Sequence, residues 1–183
     1  MEVAQAVVGK FLDPDAIIAQ IDVQSGSVVA DFGCGPGYFT MPFAKIVGQG
    51  GKVYSLDVLP QALETVVGKS KNSGIINIET KRVNLEKENG SKLESETVDW
   101  VVMKDILFQN QKKDIIIAEA HRILKPGGAV IVIEWNQAES AIGPDSEIRI
   151  KPEDLKKMFE SDKFIMEKDI EAGDFHYAFI ARK

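Results

Sequence analysis

The chain has 183 residues, 44% of them hydrophobic and 27% charged, which excludes general disorder and low-complexity architecture and leaves room for one domain with a sizeable core. Lys and Arg total 22 against 28 Asp and Glu, a net charge of −6 and the wrong sign for a protein held mainly by nucleic-acid phosphates, so no nucleic-acid partner is expected. A single cysteine, Cys34, excludes an internal disulfide, two histidines leave no Cys/His zinc spacing, and no apolar run approaches the roughly 18 residues of a membrane span, so the sequence predicts a cytoplasmic chain without metal or span.

The N-terminal stretch MEVAQAVVGKFLDPDA carries no basic leader followed by an apolar segment. Asp13-Pro14 reads as an N-cap with proline at the first helical position, opening a helix through about Ile21. SVVAD (27–31) is a compact apolar strand running into Gly33-Cys34-Gly35-Pro36-Gly37, and from Tyr38 the pattern is helical, with Pro42 early enough to be tolerated. The unit repeats as strand 52–57 and helix 60–71. Residues 75–83 give a less apolar strand, expected near an edge, and 84–97 read as a solvated loop with a helical turn. The continuously apolar VDWVVM (98–103) is a strand buried on both faces. Asp114 is expected to cap the helix DIIIAEAHRIL, Pro126-Gly127-Gly128 to turn the chain, and AVIVIE (129–134) to form the fifth strand. A helix opens at Pro152 and runs to about Ser161. KFIMEKDI and FHYAFIARK then form two strands whose short link requires an antiparallel pair. Strands alternating with helices predict a parallel sheet with helices on both faces.

A strand, a Gly-x-Gly-x-Gly loop and a helix bring free amides and a closely approachable backbone to one ligand. The dinucleotide fingerprint needs its third glycine where Tyr38 stands, which disfavours a nicotinamide oxidoreductase. Asp57 ends the second strand 20 residues after Gly37 and suits a pair of ribose hydroxyls, so a nucleoside-containing ligand is expected.

These residues resemble a known family. VADFGCGPG (29–37), Leu56-Asp57, RILKPGG (122–128) and His176-Tyr177 are similar to the motifs of class I S-adenosylmethionine-dependent methyltransferases, within the small-molecule branch of ubiquinone/menaquinone biosynthesis methyltransferases. The resemblance implies a single methyltransferase domain over 1–183, a Rossmann-like doubly wound seven-stranded sheet, mostly parallel with an antiparallel last strand, and S-adenosyl-L-methionine as cofactor. By the same resemblance Asp31 would orient the glycine loop and the methionine amino group, with Gly33, Gly35 and Gly37 against the methionyl and ribose portions. Asp57 would take the ribose hydroxyls, Val58 and Leu59 one adenine face, Asn84 and the Leu85 amide its edge, and the carbonyl around Lys104 the methionine amino group. Asn84 stands where the family usually has Asp, so it can accept but carries no charge.

The acceptor side is read from position. Asp105 and Glu134 follow the fourth and fifth strands, so either could orient a nucleophile or accept its proton, and the antiparallel last strand brings His176 to the same edge. Asp105 and His176 are the catalytic candidates. Arg149 could hold an acidic group of the acceptor, the alternative being a loop salt bridge to Asp145 or Glu147. Cys34 within the glycine loop is not expected to be a catalytic thiol, His121 reads as a helix-surface residue, and Trp135 and Phe164 read as packing residues. Residues 1–26, with Val7, Val8, Phe11 and Leu12, are expected to form a helical cover over the pocket. The expected function is methyl transfer to a small molecule, the alternative a non-catalytic S-adenosylmethionine-binding or regulatory protein.

Overall fold

The structure, a computed structural model, describes residues 9–183. In chain order its elements are α1 (Pro14–Ile18), β1 (Val28–Phe32), α2 (Thr40–Val47), β2 (Lys52–Asp57), α3 (Pro60–Asn72), β3 (Ile78–Arg82), β4 (Val98–Lys104), α4 (Lys113–Ile123), β5 (Leu124–Trp135), a 3-10 turn (Ser146–Ile148), α5 (Pro152–Ser161), β6 (Ile165–Ile170) and β7 (His176–Arg182). The strands form one seven-stranded sheet in the order β3-β2-β1-β4-β5-β7-β6. All neighbours from β3 to β5 pair in parallel, and β7 runs antiparallel to both β5 and β6. The Rossmann-like reading, the edge position of β3 and the terminal hairpin therefore hold.

Alternation along the buried strands feeds two cores. Val130 and Val132 of β5 join Ile116, Ile117 and Phe159 from α4 and α5. Ile131 and Ile133 join Ile17, Ile18, Phe39 and Phe43 on the other face, from α1 and the start of α2. A period of two in the side chains thus covers both faces of one sheet with helices.

Several boundaries differ from the sequence reading. The helix α1 stops at Ile18 instead of Ile21, and residues 9–13 run without helix. Their backbone is engaged elsewhere: the Lys10 amide donates to Asp174 Oδ2 at 2.7 Å, and the Asp174 amide donates to the Lys10 carbonyl at 2.9 Å. Val7 and Val8 of the expected cover lie outside the described residues. Asp114 sits in the first turn of α4, whose N-cap is Lys112. Pro126-Gly127-Gly128 lies within β5, which begins at Leu124; the register shift against Val98 and Trp100 absorbs these residues, so a turn was expected where a bulged strand exists. The 84–97 segment contains no helix and is not simply solvated. Leu85 and Leu93 enter the core, and Glu119 of α4 accepts from the Ser91 amide at 2.9 Å while bonding Arg122.

Because β5 lies inside the sheet and contributes to both cores, Ile131→Ala should cost about 2–5 kcal/mol, whereas exposed Ile165→Ala on edge strand β6 should stay within about 0.5 kcal/mol. Urea unfolding of the two variants side by side checks this. Equal losses would mean that the two positions are not distinguished by burial.

Candidate functional site

The order of strands reverses at β1: the chain moves outward to β2 and β3, then returns to place β4 on the other side. Helices leaving β1 and β4 diverge to opposite faces and open a crevice at the C-terminal strand ends, where ligands bind in such sheets. The glycine loop follows β1, and Asp105 follows β4. Each arrives there through a backbone conformation that ordinary extension forbids.

Gly33, Gly35 and Gly37 all have positive φ, at 67°, 50° and 84°. At Gly33 a Cβ would lie 2.9 Å from Ile106 Cδ1, and at Gly37 it would lie 3.0 Å from Val66. At Gly35 it would meet nothing within 4 Å, so there the loop presents bare backbone to open space. The loop is held by β2: the Leu56 carbonyl accepts from the Gly33 and Cys34 amides at 2.8 and 3.0 Å. Asp57 Oδ2 accepts from the Gly35 amide at 2.9 Å, and Oδ1 accepts from the Leu59 amide at 2.9 Å. Each carboxylate oxygen keeps a further lone pair. From below, buried Asp31 accepts from Thr40 Oγ1 at 2.6 Å, fixing the start of α2 against β1.

A cavity of ≈ 390 Å³ opens beside this loop. Of the cofactor residues expected from the sequence, Gly33, Gly35, Asp57, Val58, Asn84 and Leu85 line it, as does Leu59. Asp31, Gly37 and Lys104 do not. Val83, Glu86, Ile106, Gln109 and Asn110 complete the wall and were missed; for the last three the signal was available, since they lie in the segment after β4 at the crevice. Val58 and Leu59 are 53% and 58% exposed, apolar surface that a planar ligand would cover. Asn84 Oδ1 accepts from the Glu86 amide at 3.0 Å, leaving its amide nitrogen and one lone pair free.

On the other side of the crevice the two catalytic candidates meet. His176 Nε2 lies 3.3 and 3.4 Å from the two oxygens of Asp105, whose other charged neighbour is the Lys104 ammonium. Asp105 has φ 53°, a left-handed backbone uncommon outside glycine and least so for Asp and Asn. Trp135 lies over His176 with ring centroids 4.2 Å apart. Behind them Glu134 is fully buried and accepts from the Leu107 amide at 2.7 Å. Among the described residues, the buried side-chain polar atoms that find no hydrogen-bond partner are Asp105 Oδ1, Glu134 Oε2 and His176 Nδ1. All three fall in this one cluster. Such atoms each cost about 1–3 kcal/mol, and their concentration at a crevice marks a place built for something other than stability.

Arg149 corrects the sequence reading. It neither faces the crevice as an anion trap nor pairs with Asp145 or Glu147. Its guanidinium is 9% exposed and donates to the carbonyls of Pro144, Asn136, Ala138 and Ile142 and to Ser140 Oγ, so its donors are used within the β5–α5 loop. The same guanidinium stacks over Trp135 at 5.7 Å, and Gly143 closes tightly on that indole. Cys34 is buried, and burial pushes its thiol well above the ordinary range, the opposite of an activated nucleophile. His121 is half-buried and meets Phe164 edge-on at 5.1 Å, a packing role.

Residues 23–179 match the family model described as a methyltransferase domain. The chain is 30% identical over 126 residues to the ubiquinone/menaquinone biosynthesis C-methyltransferase of Marinomonas sp., covering 68% of this chain and 49% of that protein. It is 36% identical over 119 residues to the demethylmenaquinone methyltransferase of Bacillus mycoides, covering 64% of this chain and 48% of that protein. It thus spans about half the length of the curated relatives it matches. A SAM dependent methyltransferase from Aquifex aeolicus shares the fold with a TM-score of 0.86 at 24% identity, over 94% of this chain and 90% of that one.

Burial governs the acid chemistry of both sides of the crevice. It raises Asp31 from 3.8 to about 7 and Glu134 from 4.5 to about 8. Between those limits the folded chain holds protons that the unfolded chain releases, so each group contributes a loss of stability as pH rises, at most about 1.4 kcal/mol per pH unit. Glu134→Gln removes one of the two contributions. Its stability relative to the parent protein should therefore improve progressively from pH 5 to pH 8 in urea titrations. A difference that does not change with pH would mean that Glu134 is ionised throughout.

Proposed function

The chain belongs to the class I S-adenosylmethionine-dependent methyltransferases, and from that premise we propose that it moves a methyl group from this cofactor to a small-molecule acceptor. The observation that supports this reading most is that the glycine-loop cavity and the Asp105–His176 cluster share one crevice. The residues present fit the cofactor: an open backbone at Gly35, a carboxylate with free lone pairs at Asp57, and exposed apolar surface at Val58 and Leu59. Bound there, the cofactor supplies an electrophilic methyl on a sulfonium.

The chain's own contribution is to bind, orient and exclude water. Asp57 takes the ribose hydroxyls on lone pairs left over from the Gly35 and Leu59 amides. Val58 and Leu59 cover the base, with Asn84 and the Leu85 amide at its edge. From outside the cavity wall, Asp31, Gly37 and the Lys104 carbonyl support the methionine end, against Gly33. On the acceptor side Asp105 is the more open of the pair, its side chain 16% exposed against 7% for His176. Asp105 therefore takes the proton that a protic acceptor loses, with His176 and the Lys104 ammonium holding the carboxylate in place. Most of the rate comes from holding the acceptor against the methyl group in a closed site. Gly9 to Ile18 forms the cover: the Leu12 carbonyl accepts from Tyr38 Oη at 2.5 Å and Phe11 packs on Phe175 at 5.3 Å, bridging the glycine-loop side to the β6–β7 turn.

The small-molecule acceptor is supported by the relatives, one a ubiquinone/menaquinone biosynthesis C-methyltransferase and one a demethylmenaquinone methyltransferase. A screen of small acceptors for release of S-adenosylhomocysteine tests it. Cofactor binding without turnover on any acceptor would favour a non-catalytic binding protein instead.

Asp57→Ala should weaken cofactor binding by about 2 kcal/mol, since charge-assisted hydrogen bonds contribute about 1.5–3 kcal/mol each. Isothermal titration measures it, and an unchanged Kd would remove Asp57 from the site. Asp105→Asn should lower kcat by about 100-fold or more while cofactor affinity stays near that of the parent. Parental turnover in a folded Asp105→Asn protein would leave positioning alone as the source of rate.

A further inference from the structure

The chain leaves the sheet at Asp105, yet the next residues must form a defined wall of the cavity. Two successive residues of β5 hold them. The Ile133 carbonyl accepts from the Asp105 amide at 2.9 Å, continuing the β4–β5 ladder by one step. The Leu107 amide then finds no strand partner, the β4–β5 register having ended at Lys104 and Ile133. Its acceptor is the Glu134 side chain, at 2.7 Å. Ile106, between these two anchors, is thereby turned onto Gly33, where a Cβ would come within 2.9 Å of its Cδ1. Gln109 and Asn110 follow in a compact turn closed on the Asp105 and Ile106 carbonyls at 2.8 and 2.7 Å. At the far end, the Gln111 and Lys112 amides donate to Glu86 Oε1 at 2.8 and 3.0 Å.

We propose that Glu134 is a positioning residue of the cofactor site, its carboxyl hooking the wall formed by Ile106, Gln109 and Asn110 onto the end of β5 while Glu86 holds the wall's other end. This rests on the reading of that cavity as the cofactor site. A fully buried carboxyl with one oxygen unpartnered is a costly way to satisfy one amide, and a β-strand core of Val and Ile would tolerate an apolar residue there. What an apolar residue could not do is replace the missing ladder carbonyl. The charged and titratable groups around Glu134 are Lys104 at the end of β4, Asp105 just after it and Tyr177 from β7, and none of them reaches the Leu107 amide in its place.

The test is titration of S-adenosylmethionine and S-adenosylhomocysteine into three variants. Glu134→Gln keeps an oxygen at the same reach and should bind both ligands within threefold of the parent. Glu134→Leu keeps the bulk and loses the acceptor; it should raise both Kd values at least tenfold. Glu134→Asp keeps the carboxyl but withdraws it by one methylene, and should raise them comparably, so the hook is tested even if the leucine variant does not fold. Rescue by glutamine alone is the result that a general structural role would not give. Parental affinity in the Asp variant, or a tenfold loss in the Gln variant, would overturn the proposal. Failure of the parent protein to bind either ligand would instead overturn the reading of the cavity, and the hook with it.

Discussion

The crevice depends on how the end of β2 grips the loop after β1. The Leu56 carbonyl takes two loop amides and the Asp57 carboxylate takes a third, so one short stretch of strand sets the path of Gly33 to Gly35. The grip is possible only because those residues occupy backbone angles that side chains avoid. It also gives Asp57 a double task, since the group that shapes the loop is the one left facing the cavity. On the proposed reading of the cavity, loop geometry and ligand recognition are coupled through a single carboxylate at the strand's last residue.

Much of this was legible in the sequence for a physical reason. Strands buried on both faces must be mostly apolar, and β1, β4 and the inner part of β5 are; a tight loop needs glycine, and Asp57 at the end of β2 accepts from that loop. These are local constraints, satisfied by neighbours in sequence. The hairpin of β6 and β7 was legible because a link of five residues permits only one direction of return.

What escaped the sequence was settled by partners far along the chain. Arg149 looked free because its acceptors are carbonyls, which no sequence pattern displays. No sequence pattern marks Glu119, yet its carboxylate anchors Ser91 in the segment whose Asn84 and Leu85 line the cavity. The bulge at Pro126-Gly127-Gly128 was taken for a turn because proline and glycine punctuate both; only the register against β4 separates the two. His176 and Asp105 lie 71 residues apart in sequence, and it is the antiparallel entry of β7 beside β5 that brings them together.

That placement of β7 also bears on how the chain acquires its shape during synthesis. Residues of β6 leave the ribosome before those of β7, yet in the sheet β7 lies between β5 and β6. Until β7 is made, β6 has no strand to pair with and the outer edge of β5, flanked by both cores, stays open. A nascent chain in that state presents the kind of unpaired edge that recruits foreign strands. The three charged residues Glu167, Lys168 and Asp169 and the bulge between Met166 and Lys168 sit on the strand that waits, features that blunt such pairing. The order of the strands thus makes β7, translated after both of its partners, the strand that seals the sheet and, in the same step, delivers His176 to Asp105.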